Sequence, residues 1–128
     1  AGVILIDTMI DEQRLLVGAL SCFCVHPSYR HHGCGSLLFD HLTRRMVERS
    51  QIDLSLFTCA EQVCPFYLLQ GSWRCANWNI YADNDEGYQS KEMGLTVLVL
   101  PVSPRSHQTF RIEKSLDLHL HLPDGMFI

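Results

Sequence analysis

The sequence predicts a mixed α/β domain, and three observations predict it. Short runs rich in branched apolar residues recur at both ends of the chain. One long stretch with helical spacing sits between them, and the breaks carry polar residues, glycine or proline. The order is β-β-α-β-α-β-loop-β-loop-β, with no internal repeat and no linker. Its 128 residues form a single domain, 1–128.

Val3–Ile10 and Leu15–Val25 are apolar and flank the polar Asp11-Glu12-Gln13-Arg14, the pattern of a β-hairpin. Pro27 ends the second strand, and a short polar segment leads to Gly33 and Gly35. From Ser36 to Arg49 the spacing is helical, with Leu38, Leu42 and Met46 on one face and Leu37 and His41 beside them. Asp40, Arg44, Arg45 and Glu48 fall largely on the other side. Leu54–Thr58 alternates as a short strand, with Leu54, Leu56 and Thr58 on one side. Ala60–Gln70 reads as a short helix with Pro65 in its first turn or at a kink and Gly71 as its left-handed cap. Arg74–Tyr81 reads as one strand, Asp83–Gly94 as a polar loop, and Leu95–Leu100 as the most strand-like run of all. A second loop follows Pro101, and Leu116–Leu122 alternates leucine with aspartate and histidine.

Composition narrows the function classes. Apolar residues make up 47% and charged residues 19%, which is globular rather than disordered. A formal charge of −4 argues against nucleic acid as a partner, which calls for a basic patch. The opening Ala1–Ile6 is apolar, yet it stops at Asp7 and is too short to span a bilayer. Six cysteines in a chain with ample apolar residues and no signal peptide in view read as reduced, mostly buried thiols of a cytoplasmic protein.

The segment Arg30-His31-His32-Gly33-Cys34-Gly35-Ser36 between a strand and a helix is a recipe for holding a polyphosphate. Amides at a helix N-terminus are unpaired, the helix dipole favours negative charge there, and glycine removes the Cβ that would keep oxygens away. Arg30 adds a forked cationic donor. The segment is not the dinucleotide fingerprint, because the third glycine would fall at Leu38. Nor is it a P-loop, since no Lys-Ser or Lys-Thr pair follows the second glycine.

Val25-His26-Pro27-Ser28-Tyr29-Arg30-His31-His32-Gly33-Cys34-Gly35 resembles motif A of the GCN5-related N-acetyltransferases, V-x-P-x-x-[RQ]-x-x-G-x-[GA], at every defined place. Phe66-Tyr67-Leu68-Leu69-Gln70-Gly71 resembles the family's second signature, with Trp73 one place late. The resemblance implies an acyl-CoA N-acyltransferase fold: a mixed central sheet with flanking helices, here without the N-terminal strand and helices that open the family's members. By that resemblance the chain is an N-terminally truncated domain. It also implies acetyl-CoA as cosubstrate, no metal, and transfer to a primary amine. The pyrophosphate would lie on Arg30, His31, His32, Gly33, Cys34, Gly35 and Ser36. The backbone of Phe23 and Val25 would pair with the pantetheine amides between two splayed parallel strands. Tyr67 matches the family's general acid for the departing thiolate.

The C-terminal half resembles the aminoglycoside 2′-N-acetyltransferases more loosely, through Gly94–Pro101 and the ending Pro123–Ile128. That similarity implies a cationic, aminoglycoside-like acceptor gripped by Ser21, Thr58, Glu92 and Ile128. Met126 and Ile128 stand where those enzymes have an aspartate and a terminal tryptophan, and Ser21 where they have a glutamate. The partners implied are acetyl-CoA and a small amine, with room for a homodimer and with neither nucleic acid nor membrane. The alternative is a degenerate domain of the family that binds acetyl-CoA or a protein partner without turnover.

Two further chemistries share these residues. Cys22, Cys24, His26, His31, His32 and Cys34 form the densest set of metal-ligand types, with Cys22 and Cys24 on one face of a strand. Their spacing matches no C-x-x-C knuckle. Cys34 at a helix N-terminus has the position of an activated thiol, but no orienting third residue is recognisable. His119 and His121 share a strand face and read as solvated.

Overall fold

The computed structural model describes residues 1–49, 51–109 and 112–128. Strands β1 (Gly2–Ile10) and β2 (Gln13–Ser21) form an antiparallel hairpin. Its turn is Asp11-Glu12, with φ of 47° and 65°. Positive φ at both central residues is the type I′ geometry, whose twist matches that of the flanking strands. A single turn of 3-10 helix at Pro27–Tyr29 leads to helix α1 (Cys34–Glu48). Strand β3 (Leu54–Ala60), a 3-10 turn at Glu61–Val63 and helix α2 (Cys64–Leu68) follow. Then come β4 (Arg74–Ala76), β5 (Trp78–Ala82), β6 (Leu95–Pro101), helix α3 (Pro104–Thr109) and β7 (Leu116–Leu120).

The main sheet is ordered β1-β2-β3-β6-β4, and β5 and β7 form a second, parallel pair. The main sheet is mixed. β2 and β3 run parallel, and every other neighbouring pair is antiparallel. Alternation along the strands gives it two apolar faces. On one, Leu15, Val17, Ala19, Leu54, Leu56, Val97 and Val99 pack with Trp78, Ile80, Leu118 and Leu120 of the small sheet. On the other, Leu20, Phe57, Cys59, Leu98 and Leu100 pack under Phe39 and Met46 of α1 and Cys64 of α2. The fold is thus the mixed sheet with flanking helices that the sequence implies. Among the described residues no helix is long and apolar enough to cross a membrane.

Several elements differ from expectation. The second strand stops at Ser21 instead of Val25, because Cys22 takes φ 53° and turns the chain out of the ladder. Cys22 and Cys24 therefore do not share a strand face. Helix α1 starts two residues earlier than Ser36, and the side chain it buries completely is Phe39, with Met46. Leu38 and Leu42 are only half-buried. The stretch Arg74–Tyr81 is two strands in two different sheets, and a short helix occupies part of the loop after Pro101. Of the cysteines, Cys59 and Cys64 are buried, Cys34 is half-buried, and Cys22, Cys24 and Cys75 are exposed.

Candidate active site

The parallel pair β2–β3 is bonded over only three residues, Val17 to Ala19 against Leu54 to Leu56. Beyond them β2 runs on to Ser21 and β3 to Ala60 without pairing with each other. The strands part, and a cleft of about 250 Å³ opens between them. Ser21, Cys22 and Phe23 line it from the end of β2, and Phe57 and Thr58 from β3. Tyr67 reaches it from α2, on the helix side of the sheet. Phe127 and Ile128 reach it from the chain's last segment, on the other side. The opening thus has walls from both faces of the sheet.

Tyr67 is held by aromatic packing. Its ring centroid lies 4.8 Å from that of Phe57, 4.9 Å from Phe39 and 5.0 Å from Phe66. Pro65, in the first turn of α2, presets the φ that aims this face of the helix. Burial pushes the Tyr67 phenol above its ordinary value, and the nearby Cys59 thiol adds to the shift. The group is therefore protonated at neutral pH. Across the cleft the Thr58 hydroxyl donates to the Ile128 carbonyl oxygen, and Ile128 is 5% exposed.

A second cleft, of about 550 Å³, adjoins the start of α1. Arg30, His31, Gly33, Gly35 and Ser36 line it, with Phe66 as its apolar floor. The first bond of the helix runs from the Leu37 amide to the Gly33 carbonyl, 3.1 Å. The amides of Cys34, Gly35 and Ser36 precede that bond, and no side chain caps the N-terminus from Gly33. Gly33 takes φ 79°, which glycine adopts without strain. At Gly35 a Cβ would stand 3.4 Å from Phe66 Cζ and 3.7 Å from Val25 Cγ2. The Arg30 Nε donates to the Val25 carbonyl at 2.9 Å, folding the turn back on the strand that precedes it. Phe23 lines both clefts, so they adjoin at that side chain.

A family model described as the acetyltransferase (GNAT) family matches residues 1–71. The chain belongs to that family. No curated protein matches it. The matched segment contains the hairpin, the turn before α1, β3 and α2, which supply most of both clefts.

Within this acetyltransferase framework the structure brings most of the sequence-nominated residues together. Phe23, Val25, Arg30, His31, Gly33, Gly35 and Ser36 line the cleft at α1, while His32 and Cys34 belong to the same turn without lining it. The His32 ring bonds the Arg30 carbonyl instead, at 2.7 Å. Phe23 and Val25 lie in the irregular segment after β2, not in the strand itself, and the Val25 carbonyl accepts from Arg30. Ser21, Thr58, Tyr67 and Ile128 converge on the cleft between the strands. Glu92 is exposed in the turn before β6 and does not line it. Cys22, Phe57 and Phe127 line it but were not nominated. Phe57 reads in the sequence only as facing away from Thr58, and the positive φ that sets Cys22 at the cleft has no signal in the sequence.

Among the described residues no three histidine, cysteine or acidic side chains converge as a metal site. His119 is exposed yet engaged: it stacks on Tyr81 with ring centroids 4.5 Å apart, and its Nδ1 lies 2.9 Å from Asp83 Oδ1.

Proposed function

We propose that the protein transfers an acetyl group from acetyl-CoA to a primary amine. The observation that carries this reading is the pair of clefts that meet at Phe23, one at the open N-terminus of α1 and the other between the parted strands, where Tyr67 lines it. The amides of Cys34, Gly35 and Ser36, with Arg30 beside them, are the groups that would hold the pyrophosphate. The bare Cα of Gly35 lets it approach. The backbone of Phe23 and Val25 would take the pantetheine amides as a strand takes a neighbour. Acetyl-CoA supplies the activated thioester. The neutral amine nitrogen attacks the thioester carbonyl carbon and gives up one proton to water. As the carbon–sulfur bond breaks, Tyr67, protonated at neutral pH, delivers its Oη proton to the sulfur and regains one from solvent. Ser21 and Thr58 present hydroxyls where the amine would enter.

For the acceptor we favour a small cationic amine, aminoglycoside-like in type. Its support is a hollow of about 470 Å³ lined by Asp83, Asp85 and Asp124, beside the last segment that walls the cleft. A second reading is a domain that binds acetyl-CoA without turnover. One observation favours it: Ile128, bonded to Thr58, fills the side of the cleft opposite the helices.

Release of free thiol from acetyl-CoA in the presence of a panel of amines separates the two readings. Tyr67→Phe should keep acetyl-CoA affinity and lower the transfer rate by ~10²-fold or more, the usual contribution of a positioned acid. A fully active variant would remove Tyr67 from the mechanism. Tight binding with no thiol released by any amine would establish the non-catalytic reading.

A further inference from the structure

The core beneath the helices holds a group of thiols for which acetyl transfer has no use. Cys59 on β3 and Cys75 on β4 flank β6, opposite Thr96 and Leu98. Residues two apart on a strand share a face, so both thiols point to the side covered by α1 and α2. Helix α2 sets its first residue, Cys64, down on that spot. The Cys64 and Cys75 sulfurs are 3.3 Å apart and hydrogen-bonded, and Cys59 belongs to the same buried cluster as Cys64. All six cysteines are free thiols. Access divides the close pair, since Cys75 is exposed and Cys64 is 6% exposed.

We propose that Cys64 and Cys75 close into a reversible disulfide under peroxide, fastening the start of α2 to β4. The thiol of the more exposed residue reacts first. Cys75 Sγ attacks one oxygen of hydrogen peroxide, the O–O bond breaks, and the products are a Cys75 sulfenic acid and one water. Cys64 Sγ then attacks the Cys75 sulfur. The S–S bond forms as the S–O bond breaks, and the departing oxygen takes the Cys64 proton and leaves as a second water. Two thiols lose two electrons and two protons, and one peroxide becomes two waters. An accessible cysteine beside a resolving thiol is one of the two features of redox-sensing cysteines; the other, a low pKa, is lacking here, and proximity carries the reaction.

The geometry asks for little movement. A disulfide needs about 2.05 Å between sulfurs, so the pair must close by about 1.2 Å from its present contact. β4 is three residues long and pairs on one side only, which leaves it free to follow. Partial burial of its sulfur, with the bond to Cys64 adding to it, raises the Cys75 thiol to about 11. The pair is mostly thiol at neutral pH and responds slowly, to a sustained dose of oxidant. Tyr67 lies one helical turn beyond Cys64, so the bond would fix the helix that carries it.

The test is covalent and stands whether or not the acetyl-transfer reading does. The full chain, first reduced, is exposed to hydrogen peroxide, alkylated and digested. The expected result is a product lighter by two hydrogens and two thiols short of full alkylation, with the peptide after Arg74 joined to the one holding Cys59 and Cys64. Dithiothreitol should reverse it. Cys64→Ser and Cys75→Ser should each abolish the link, and Cys59→Ser should keep it. The oxidised wild type should melt several degrees higher than the reduced form, while Cys75→Ser, an exposed position, should show no such gap. A link that survives Cys64→Ser would transfer the bond to Cys59 and overturn the assignment. So would Cys75 ending as sulfinic acid with Cys64 still open to alkylation.

Discussion

Gly33 and Gly35 stand two residues apart for different physical reasons. Gly33 has open space where a Cβ would go, but its φ of 79° is one that residues with a side chain rarely adopt. Gly33→Ala should cost about 1–2 kcal/mol of stability, read from denaturant midpoints. Gly35 has ordinary helical φ and lines the cleft, so Gly35→Ala should fold normally against Phe66 and Val25. The methyl would stand among the amides proposed to hold pyrophosphate, and CoA affinity should fall about tenfold or more, a loss of about 1.4 kcal/mol. Calorimetry that finds the affinity unchanged would remove this turn from the binding site. The spacing of the two glycines was legible in the sequence, but the difference between them was not, because φ is fixed only by the folded chain. The same holds at Asp11-Glu12, where two non-glycine residues sit at positive φ. Replacing them with Asn-Gly should add about 1 kcal/mol and raise the thermal midpoint by several degrees.

Helix α1 shows how an element can be right in kind and wrong in face. Its helical spacing was plain and Met46 is buried as expected, yet Leu38 and Leu42 lie to one side of the face that Phe39 and Met46 bury. Phe39 wins because the sheet beneath offers aromatic partners. Its ring is 5.6 Å from Trp73 and 5.8 Å from Phe57, and the Trp73 indole bonds Thr43 on the same helix. Such partners come from distant segments, so local periodicity cannot weigh them. Phe39→Ala should cost ~3–5 kcal/mol, while Leu42→Ala, half-buried, should fall below the ~2–5 kcal/mol of a fully buried leucine.

Asp53, at the start of β3, is the clamp between elements. It accepts from the Leu16 amide at 3.0 Å and the Ser103 hydroxyl at 2.8 Å, and it pairs with Arg105. Burial alone would raise its pKa, but these bonds outweigh burial and hold it below 3.8. A carboxyl depressed in the folded state stabilises above its unfolded value and loses that contribution as pH falls through the folded one. Asp53→Asn should therefore be less stable than wild type at neutral pH, and the gap between them in urea midpoint should shrink below about pH 4.

At the scale of the whole molecule the thiols set the opposite limit. Burial keeps Cys59, Cys64 and Cys75 above the ordinary thiol value of 9.0, with Cys75 at about 11. The unfolded thiols ionise first, so stability should decline as pH rises from about 9 towards 11. The plateau of stability should lie between the acid limb from Asp53 and this alkaline one. A thermal-midpoint profile that stays flat to pH 11 would refute it. The second sheet was the part of the architecture least visible in advance. β5 and β7 pair in parallel although some thirty residues separate them, and nothing local in either strand names the other.

The three-residue pairing of β2 with β3 gives the main sheet more than two outer margins. Past Ala19 and Leu56, the backbone groups of each strand that face away from its remaining neighbour form an inner margin, lying inside the molecule. Outer margins invite any passing strand and have to be guarded against aggregation. An inner one opens only into the cleft of about 250 Å³ between the strands, so what can reach its backbone groups is limited by the room there and not by charged gatekeepers.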